Sequence, residues 1–329
     1  MIKIGLVGCG KIGKRHLEAY QGIPKAQVVA ISDANKETAI NLSRDFGIPY
    51  WFTKQQDLLA NHQVDAVDVC VPTIEHHKLI LDALAKDKHV FCEKPLTYKH
   101  AFAKQIQKSQ EASGKIVMVG YLYRHHPSFI RLKQVLEDEI IGKPVFAYFR
   151  VGARGGHTRW KHQKNGGGAM LEALVHCLDL AYYCFKSFSM VDPLYVETIR
   201  KERTINGKKR VVTAEDFALI HLQTKEGVEV FCQSDQLTPS YMNTVEVHGD
   251  NGSFFGSILS YLPTLIYCNE GRGQYFKGKN LFTVPEVNLM RQELHTFVDI
   301  LEKKRNPNNS VATSIEIMKI IEKACEHRK

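Results

Sequence analysis

The stretch Gly8-Cys9-Gly10-Lys11-Ile12-Gly13 decides how this chain is read. It follows an apolar run, Lys3 to Val7, and opens a helical pattern that continues through Tyr20. A lone G-x-G-x-x-G is weak evidence. Here a second apolar run, Gln27 to Ile31, ends at Asp33, about twenty residues beyond the last glycine, as a dinucleotide-binding unit requires. Gly8 is assigned the tight turn, Gly10 the close approach of backbone to pyrophosphate, and Gly13 the packing of helix on strand. The helix N-terminus offers unpaired amides to the phosphates, and Cys9, Lys11 and Ile12 complete that cofactor-binding turn. Asp33 is expected to accept hydrogen bonds from a ribose diol and to repel a 2′-phosphate. NAD is therefore expected over NADP, with Lys36 nearby working against the preference.

Outward from this unit the alternation continues. Helices are expected near Lys36 to Phe46, Gln55 to Asn61, His77 to Lys86 and Tyr98 to Ser113. Strands are expected at Tyr50, at Ala66 to Val71, at His89 to Cys92 and at Ile116 to Val119. Strands alternating with helices imply a doubly wound parallel sheet, so residues 1–120 are assigned to a Rossmann NAD-binding domain. Beyond Gly120 the pattern changes. Helices are expected at Ser128 to Asp138 and Ala169 to Phe185, with a polar, glycine-rich loop from Gly152 to Gly168. Strand-like runs follow at Leu194 to Ile199, Val211-Val212, Phe217 to Leu222, Val228 to Cys232, Thr244 to His248 and Leu265 to Cys268. Turn-like separators divide them, Asn206-Gly207, Glu226-Gly227 and Asp250-Asn251-Gly252 among them. Residues 121–329 thus read as an α+β domain with a large open antiparallel sheet, serving substrate binding and oligomerisation. Its two terminal helices, near Asn288 to Lys304 and Ser314 to His327, have the option of packing back on the first domain.

Composition narrows the function classes. The 329 residues carry 44 Lys+Arg against 35 Asp+Glu, a net charge of +9 that favours anionic ligands without a basic run suited to nucleic acid. The eight cysteines show no C-x-x-C pair and read as buried thiols of a reducing compartment. The first residues run straight into a strand, and no apolar stretch reaches the roughly 18 residues of a membrane span. A cytoplasmic protein with no membrane partner is expected.

Three features carry chemistry. Val71-Pro72-Thr73, with His76 just beyond, lies at the carboxyl end of one parallel strand, and Glu93-Lys94-Pro95 ends the next. Open α/β sheets bind ligands at that edge. The third feature is Gly166-Gly167-Gly168 followed by a helix bearing Glu172, His176 and Asp179, whose spacings of four and three place all three on one face. Each has a plainer reading: a solvated lysine, a hydrogen-bonded structural histidine, or half a metal site. No third ligand at recognisable spacing supports a metal, and none is assigned. His125-His126 and the His157/His162 pair read as polar surface or substrate loop.

Taken in order, these motifs resemble the glucose–fructose oxidoreductase/inositol dehydrogenase family (Gfo/Idh/MocA), and the resemblance spans essentially the whole chain. It implies nicotinamide-dependent hydride transfer to or from a secondary alcohol of a sugar, cyclitol or related polyol, in a homodimer or homotetramer associated through the sheets. Lys94 resembles the family's catalytic lysine and His176 its histidine. Members often carry Asp where this chain has Glu172, and Gly where it has Leu174, a departure that bears on substrate identity. Arg124, with Tyr123 beside it, matches a family arginine, so Tyr123, Arg124, Glu172 and His176 are the expected substrate contacts. In physical terms His176 is a base of suitable pKa for the hydroxyl proton, and Lys94 stabilises charge developing on the oxygen. Glu172 orients the imidazole or a hydroxyl. Pro72, Thr73, His76, Glu93, Lys94 and Pro95 shape the nicotinamide side of the cleft. The expectation is that amine and imidazole meet over one ring. Alternatives are a nucleotide-sugar or amino-sugar 3-dehydrogenase, a sugar–sugar oxidoreductase retaining its coenzyme, and a non-catalytic NAD-binding regulator.

Overall fold

The computed structural model describes residues 1–155, 159–163 and 167–327. His157 and Gly166, named above, lie outside them. The chain forms two compact units, one of Met1–Leu122 with Asn288–Met318 and the other of Tyr123–Val287 with Lys319–Lys329.

In the first unit β1 (Ile2–Val7), α1 (Lys11–Tyr20), β2 (Ala26–Ser32), α2 (Lys36–Phe46), β3 (Tyr50–Phe52), α3 (Gln55–Leu59) and β4 (Ala66–Val69) are followed by α4 (Thr73–Ala85), β5 (His89–Glu93), α5 (His100–Ser113) and β6 (Val117–Gly120). The six strands are parallel in the order β3-β2-β1-β4-β5-β6, the Rossmann arrangement. Local chemistry sets the helix ends. Asn35 accepts the amide of Thr38 at the start of α2, and Gly47 closes that helix in the left-handed region. α4 begins at Thr73, earlier than its apolar pattern suggests, because Pro72 fixes the preceding turn.

The second unit carries α6 (Pro127–Glu137), β7 (Pro144–Gly152), α7 (Val175–Phe185), β8 (Met190–Glu197), β9 (Glu202–Ile205), β10 (Lys208–Val211), β11 (Phe217–Gln223), β12 (Glu229–Asp235), β13 (Met242–Gly249), β14 (Gly252–Gly256), β15 (Thr264–Cys268) and β16 (Gly278–Phe282). Eight of the strands form one sheet in the order β16-β15-β14-β13-β7-β12-β11-β8. All neighbours are antiparallel except β7 and β12, so the sheet is mixed and not purely antiparallel. Asn206-Gly207 is the tip of a separate hairpin, both residues at positive φ as a two-residue hairpin turn requires. β14 and β16 escape the sequence pattern. Gly252, expected in a turn, is a strand residue: a Cβ there would lie 1.9 Å from the Tyr267 carbonyl oxygen, so only glycine permits the pairing with β15. The helix expected from Ala169 starts with a π-helical turn over Met170–Leu174 before α7.

Two further helices, α8 (Leu289–Lys303) and α9 (Val311–Glu326), end the chain. α8 buries Met290, Leu294, Phe297, Val298 and Leu301 in one cluster with Ala19, Tyr20 and Ile23 of the α1 region and with Ile4, Ala66, Phe91 and Met118 of the sheet. The segment before α9 covers the outer strand: the Val119 amide donates to Asn309 O, and Asn309 Nδ2 donates to Val119 O. An open strand edge is thereby capped by the chain itself. No helix among the described residues is long and apolar enough to cross a membrane.

Within this core Glu293 is fully buried, and neither carboxyl oxygen has a hydrogen-bond partner among the described residues. Burial, then the charge of Glu93, pushes its pKa well above the carboxylate range. A group whose pKa rises on folding favours the fold below its unfolded pKa, and that contribution is lost as pH climbs toward the folded value. Glu293→Gln is therefore expected to raise the melting temperature at about pH 8 and to change it little near pH 4.5. An equal shift at both pH values would contradict a buried neutral acid.

Candidate active site

In the first unit the turn after β1 has the geometry its glycines suggest. Gly8 sits at φ +100, where a Cβ would lie 2.5 Å from Cys70 O. A Cβ on Gly13 would lie 1.9 Å from Gly8 O, so the helix can approach the strand only with hydrogen there. Gly10 by contrast faces open space, with nothing within 4 Å of a Cβ, leaving its backbone open to a ligand. A cavity of about 500 Å³ lies here, lined by Gly8, Gly10, Asp33, Lys54, Val71 and Pro72 among others. It occupies the strand ends where the sheet order reverses between β1 and β4, the place ligands take in this fold. Asp33 lines it with both oxygens already engaged: Oδ2 accepts the Cys9 amide and Oδ1 the Asn35 amide, each at 2.8 Å. A carboxylate oxygen can accept more than one hydrogen bond, so Asp33 retains the capacity and the charge that suit a ribose diol. Open backbone at Gly10, a helix N-terminus and this carboxylate fit NAD.

The strand-end residues divide. Pro72 lines the cavity, whereas His76 is 1% exposed and sits between two carbonyls, with Nδ1 2.9 Å from Pro95 O and Nε2 2.8 Å from Val71 O. It braces the turns after β4 and β5 and does not form a wall of the cleft, which corrects the sequence expectation. Burial lowers its pKa, and the neutral ring has a single N–H, so it donates to one of these carbonyls while its other nitrogen only lies beside the second. Thr73 is buried at the first position of α4. Pro95 is buried after a cis Lys94-Pro95 bond. Lys94 is half-buried in a bend directly after β5, and its amide donates to Glu93 Oε2 at 3.2 Å. Glu93 is turned inward onto His16 and not toward the cavity.

In the second unit a smaller cavity, about 190 Å³, is lined by Tyr123, Lys161, Glu172, His176, Asp235 and Tyr241 together with small and amide residues. Glu172 and His176 therefore do share a space, with the π-helical turn between them. Tyr123 stacks on the imidazole at 4.4 Å between ring centres, fixing its plane, and the Tyr123 and Tyr241 hydroxyls are hydrogen-bonded. Lys161, absent from the sequence reading, pairs with Glu172 at 2.5 Å. Asp179 departs from the expected common face. It is 1% exposed and takes the Arg124 guanidinium in a forked contact, Nε at 2.9 Å and an Nη at 2.7 Å. Burial raises the Asp179 pKa against the opposing charge of Arg124. Arg124, expected to contact substrate, is thus buried on Asp179 and is not among the residues lining this cavity. For His126 and His162 the surface alternative is corrected. His126 is buried and its Nδ1 accepts the Ser128 amide at the start of α6, with burial lowering its pKa to about 4. His162 is 2% exposed and not surface.

Among the described residues one cluster has metal-ligand chemistry: the donor atoms of His16, Asp68 and Cys70 lie within 4.8 Å of one another. Its atoms are turned on each other, Asp68 accepting from both partners, and burial followed by the Asp68 charge pushes the Cys70 thiol far above its usual pKa. A neutral thiol is a poor ligand, so the cluster reads as an internal network.

Comparison with known proteins agrees with this architecture. Residues 2–121 match the profile described as "Oxidoreductase family, NAD-binding Rossmann fold", and residues 129–255 match the GFO/IDH/MocA C-terminal domain. The fold and its cofactor turn define a dinucleotide-dependent oxidoreductase, and its coenzyme is NAD. The chain belongs to the Gfo/Idh/MocA family. It is 28% identical over 311 residues to a myo-inositol 2-dehydrogenase from Thermotoga maritima, covering 93% of this chain and 90% of that one. It is also 28% identical to a scyllo-inositol 2-dehydrogenase (NAD(+)) from Bacillus subtilis, covering 82% and 78%. A levoglucosan dehydrogenase solved with NADH superposes with a TM-score of 0.89 over 99% of this chain and 97% of that chain, at 21% identity.

Asp33→Ala is expected to relax selectivity for NAD over NADP, read as the ratio of kcat/KM for the two coenzymes. An unchanged ratio would show that the carboxylate serves only the Cys9 and Asn35 amides.

Proposed function

We propose that this protein is an NAD-dependent dehydrogenase of a secondary alcohol on a free sugar or cyclitol. The observation that carries the reading is the small cavity of the second unit, in which an imidazole, two carboxylates, an ammonium and two phenols are gathered. At about 190 Å³ it falls below the roughly 300–1,000 Å³ of pockets for drug-sized ligands, which favours a single ring over a nucleotide-linked sugar. Its lining is rich in groups that exchange hydrogen bonds with hydroxyls. The relatives acting on inositols point to the same substrate class.

His176, held in plane by Tyr123, takes the hydroxyl proton as general base. The Lys94 ammonium stabilises the alkoxide that develops as that proton leaves. Glu172, its charge balanced by Lys161, accepts from a neighbouring hydroxyl and sets which carbon is presented. Bound NAD supplies the acceptor for the hydride. Association of copies fits the sheet of the second unit, where Phe146, Tyr195, Tyr267 and Leu281 are exposed on its strands.

A panel of myo-inositol, scyllo-inositol, levoglucosan, aldoses, uronates and nucleotide-linked sugars, assayed for NADH formation, tests the proposal. Turnover confined to nucleotide-linked sugars would replace it with the larger-substrate alternative. No NADH from any donor, with NAD binding intact, would favour a regulator. With an active donor, Lys94→Ala is expected to lower kcat about a hundredfold while NAD affinity stays within twofold. His176→Asn should cost about 10²–10⁴ in kcat. Near-normal turnover in either variant would remove that residue from the mechanism.

A further inference from the structure

The first unit contains a buried polar chain that the proposed mechanism does not use. His16 lies on α1, three residues past Gly13, and is fully buried. Its Nδ1 lies 2.8 Å from Asp68 Oδ2 on β4, and its Nε2 lies 3.1 Å from Glu93 Oε1 at the end of β5. Glu93 spends its other oxygen on the Lys94 amide. Ionised carboxylates only accept, so an imidazole bonded to two of them must donate from both nitrogens. The ring is then an imidazolium. Burial opposes that charge, yet the charge of Asp68 and the bond to it work the other way, and the His16 pKa lies well above its ordinary value. Glu93 is lowered in turn. Burial works against it, and the His16 hydrogen bond and charge, with Lys94 adding, overcome burial.

The groups facing this ring come from every surrounding element. Asp68 and Cys70 belong to β4 and the turn after it, Glu93 and Lys94 to β5 and its end. Tyr20 belongs to α1, and Glu293, its carboxyl neutral, to α8. Two carboxylates around one imidazolium make a clamp with a single anchored exit, the N–H of Lys94. A charged clamp is an expensive way to fill a core, since an apolar trio of equal volume would pack as well without desolvating ions. What it supplies that an apolar trio lacks is direction: it fixes where Glu93 points, and so the start of the bend that carries Lys94.

We propose that His16, held by Asp68, is a positioning residue for Lys94, acting through the Glu93 carboxylate. This rests on the reading of Lys94 as the group that stabilises the alkoxide. The position of the amine itself can be followed without turnover.

The test uses the full chain as wild type, His16→Gln, Asp68→Asn, Lys94→Ala and the His16→Gln/Lys94→Ala double variant. Trace acetylation with acetic anhydride, read by mass spectrometry, reports the reactivity of Lys94 relative to exposed Lys104. His16→Gln and Asp68→Asn are each expected to change that ratio about threefold or more. In wild type, ¹⁵N NMR of the histidines should show both His16 nitrogens protonated at about pH 8. With NAD and myo-inositol, His16→Gln should lower kcat about 10–100-fold while KM for NAD stays within twofold, and the double variant should be no slower than Lys94→Ala alone. An unaltered Lys94 labelling ratio, a neutral His16 ring or additive losses in the double variant would each overturn the proposal, and so would a drop in melting temperature without change at Lys94. Full turnover by Lys94→Ala would instead sink the catalytic reading, leaving the labelling ratio to decide the positioning claim. Should His16→Gln fail to fold, or myo-inositol not react, Asp68→Asn and the labelling ratio still decide it.

Discussion

The first unit depends on one steric constraint, the absence of a side chain at Gly13. A single methyl group there would lie 1.9 Å from the Gly8 carbonyl, so α1 could not lie as close to β1 as it does. That closeness has two consequences at opposite ends of one turn of helix. It aims the first amides of α1 at the cavity, and it brings His16, three residues on, against Asp68 and Glu93. Coenzyme turn and lysine-bearing strand end are therefore set by the same contact.

The second unit handles its charges differently. Two of its buried carboxylates take backbone amides as partners. Asp216 receives the amides of Ile199 and Arg200 as well as Arg203, and Glu215 accepts the amide of Met170 where the π-helical turn begins. Such pairs gain little net stability over apolar packing, but losing one partner is costly, so they hold local geometry firmly. Arg124 with Asp179 is another buried pair of this unit, joined by the forked guanidinium contact. The Met170 turn that leads to Glu172 and His176 is fixed in this way, while Lys161, which also lines the cavity, comes from a short 3₁₀ turn at 159–162.

Much of this was legible in the sequence, for physical reasons that differ by residue. The glycine turn, Asp33 and the alternation of the first 120 residues each leave a local signature, and the family match follows from the same motifs. The cavity neighbours Glu172 and His176 were legible from helical spacing. Asp179 was not, because spacing says which residues are near one another but not which partner a charge will find. Arg124, 55 positions away, was that partner. β14 was missed because its glycine is there for strand approach and not for turning. His16 and Asp68 did leave a trace, since a charge inside the apolar run Val67-Asp68-Val69 needs a buried partner. A His in the middle of a helical pattern gives no hint of being that partner until strands are ordered in space.

The helix that fills one side of the first unit comes from the far end of the chain, and so does the Asn309 segment that covers β6. Synthesis delivers residues 1–122 long before 288–318. For all the interval in which the intervening 165 residues are made, the nascent sheet has an unpaired outer strand and a bare apolar face. The unit bearing the coenzyme turn is thus begun first but completed only near the end of synthesis.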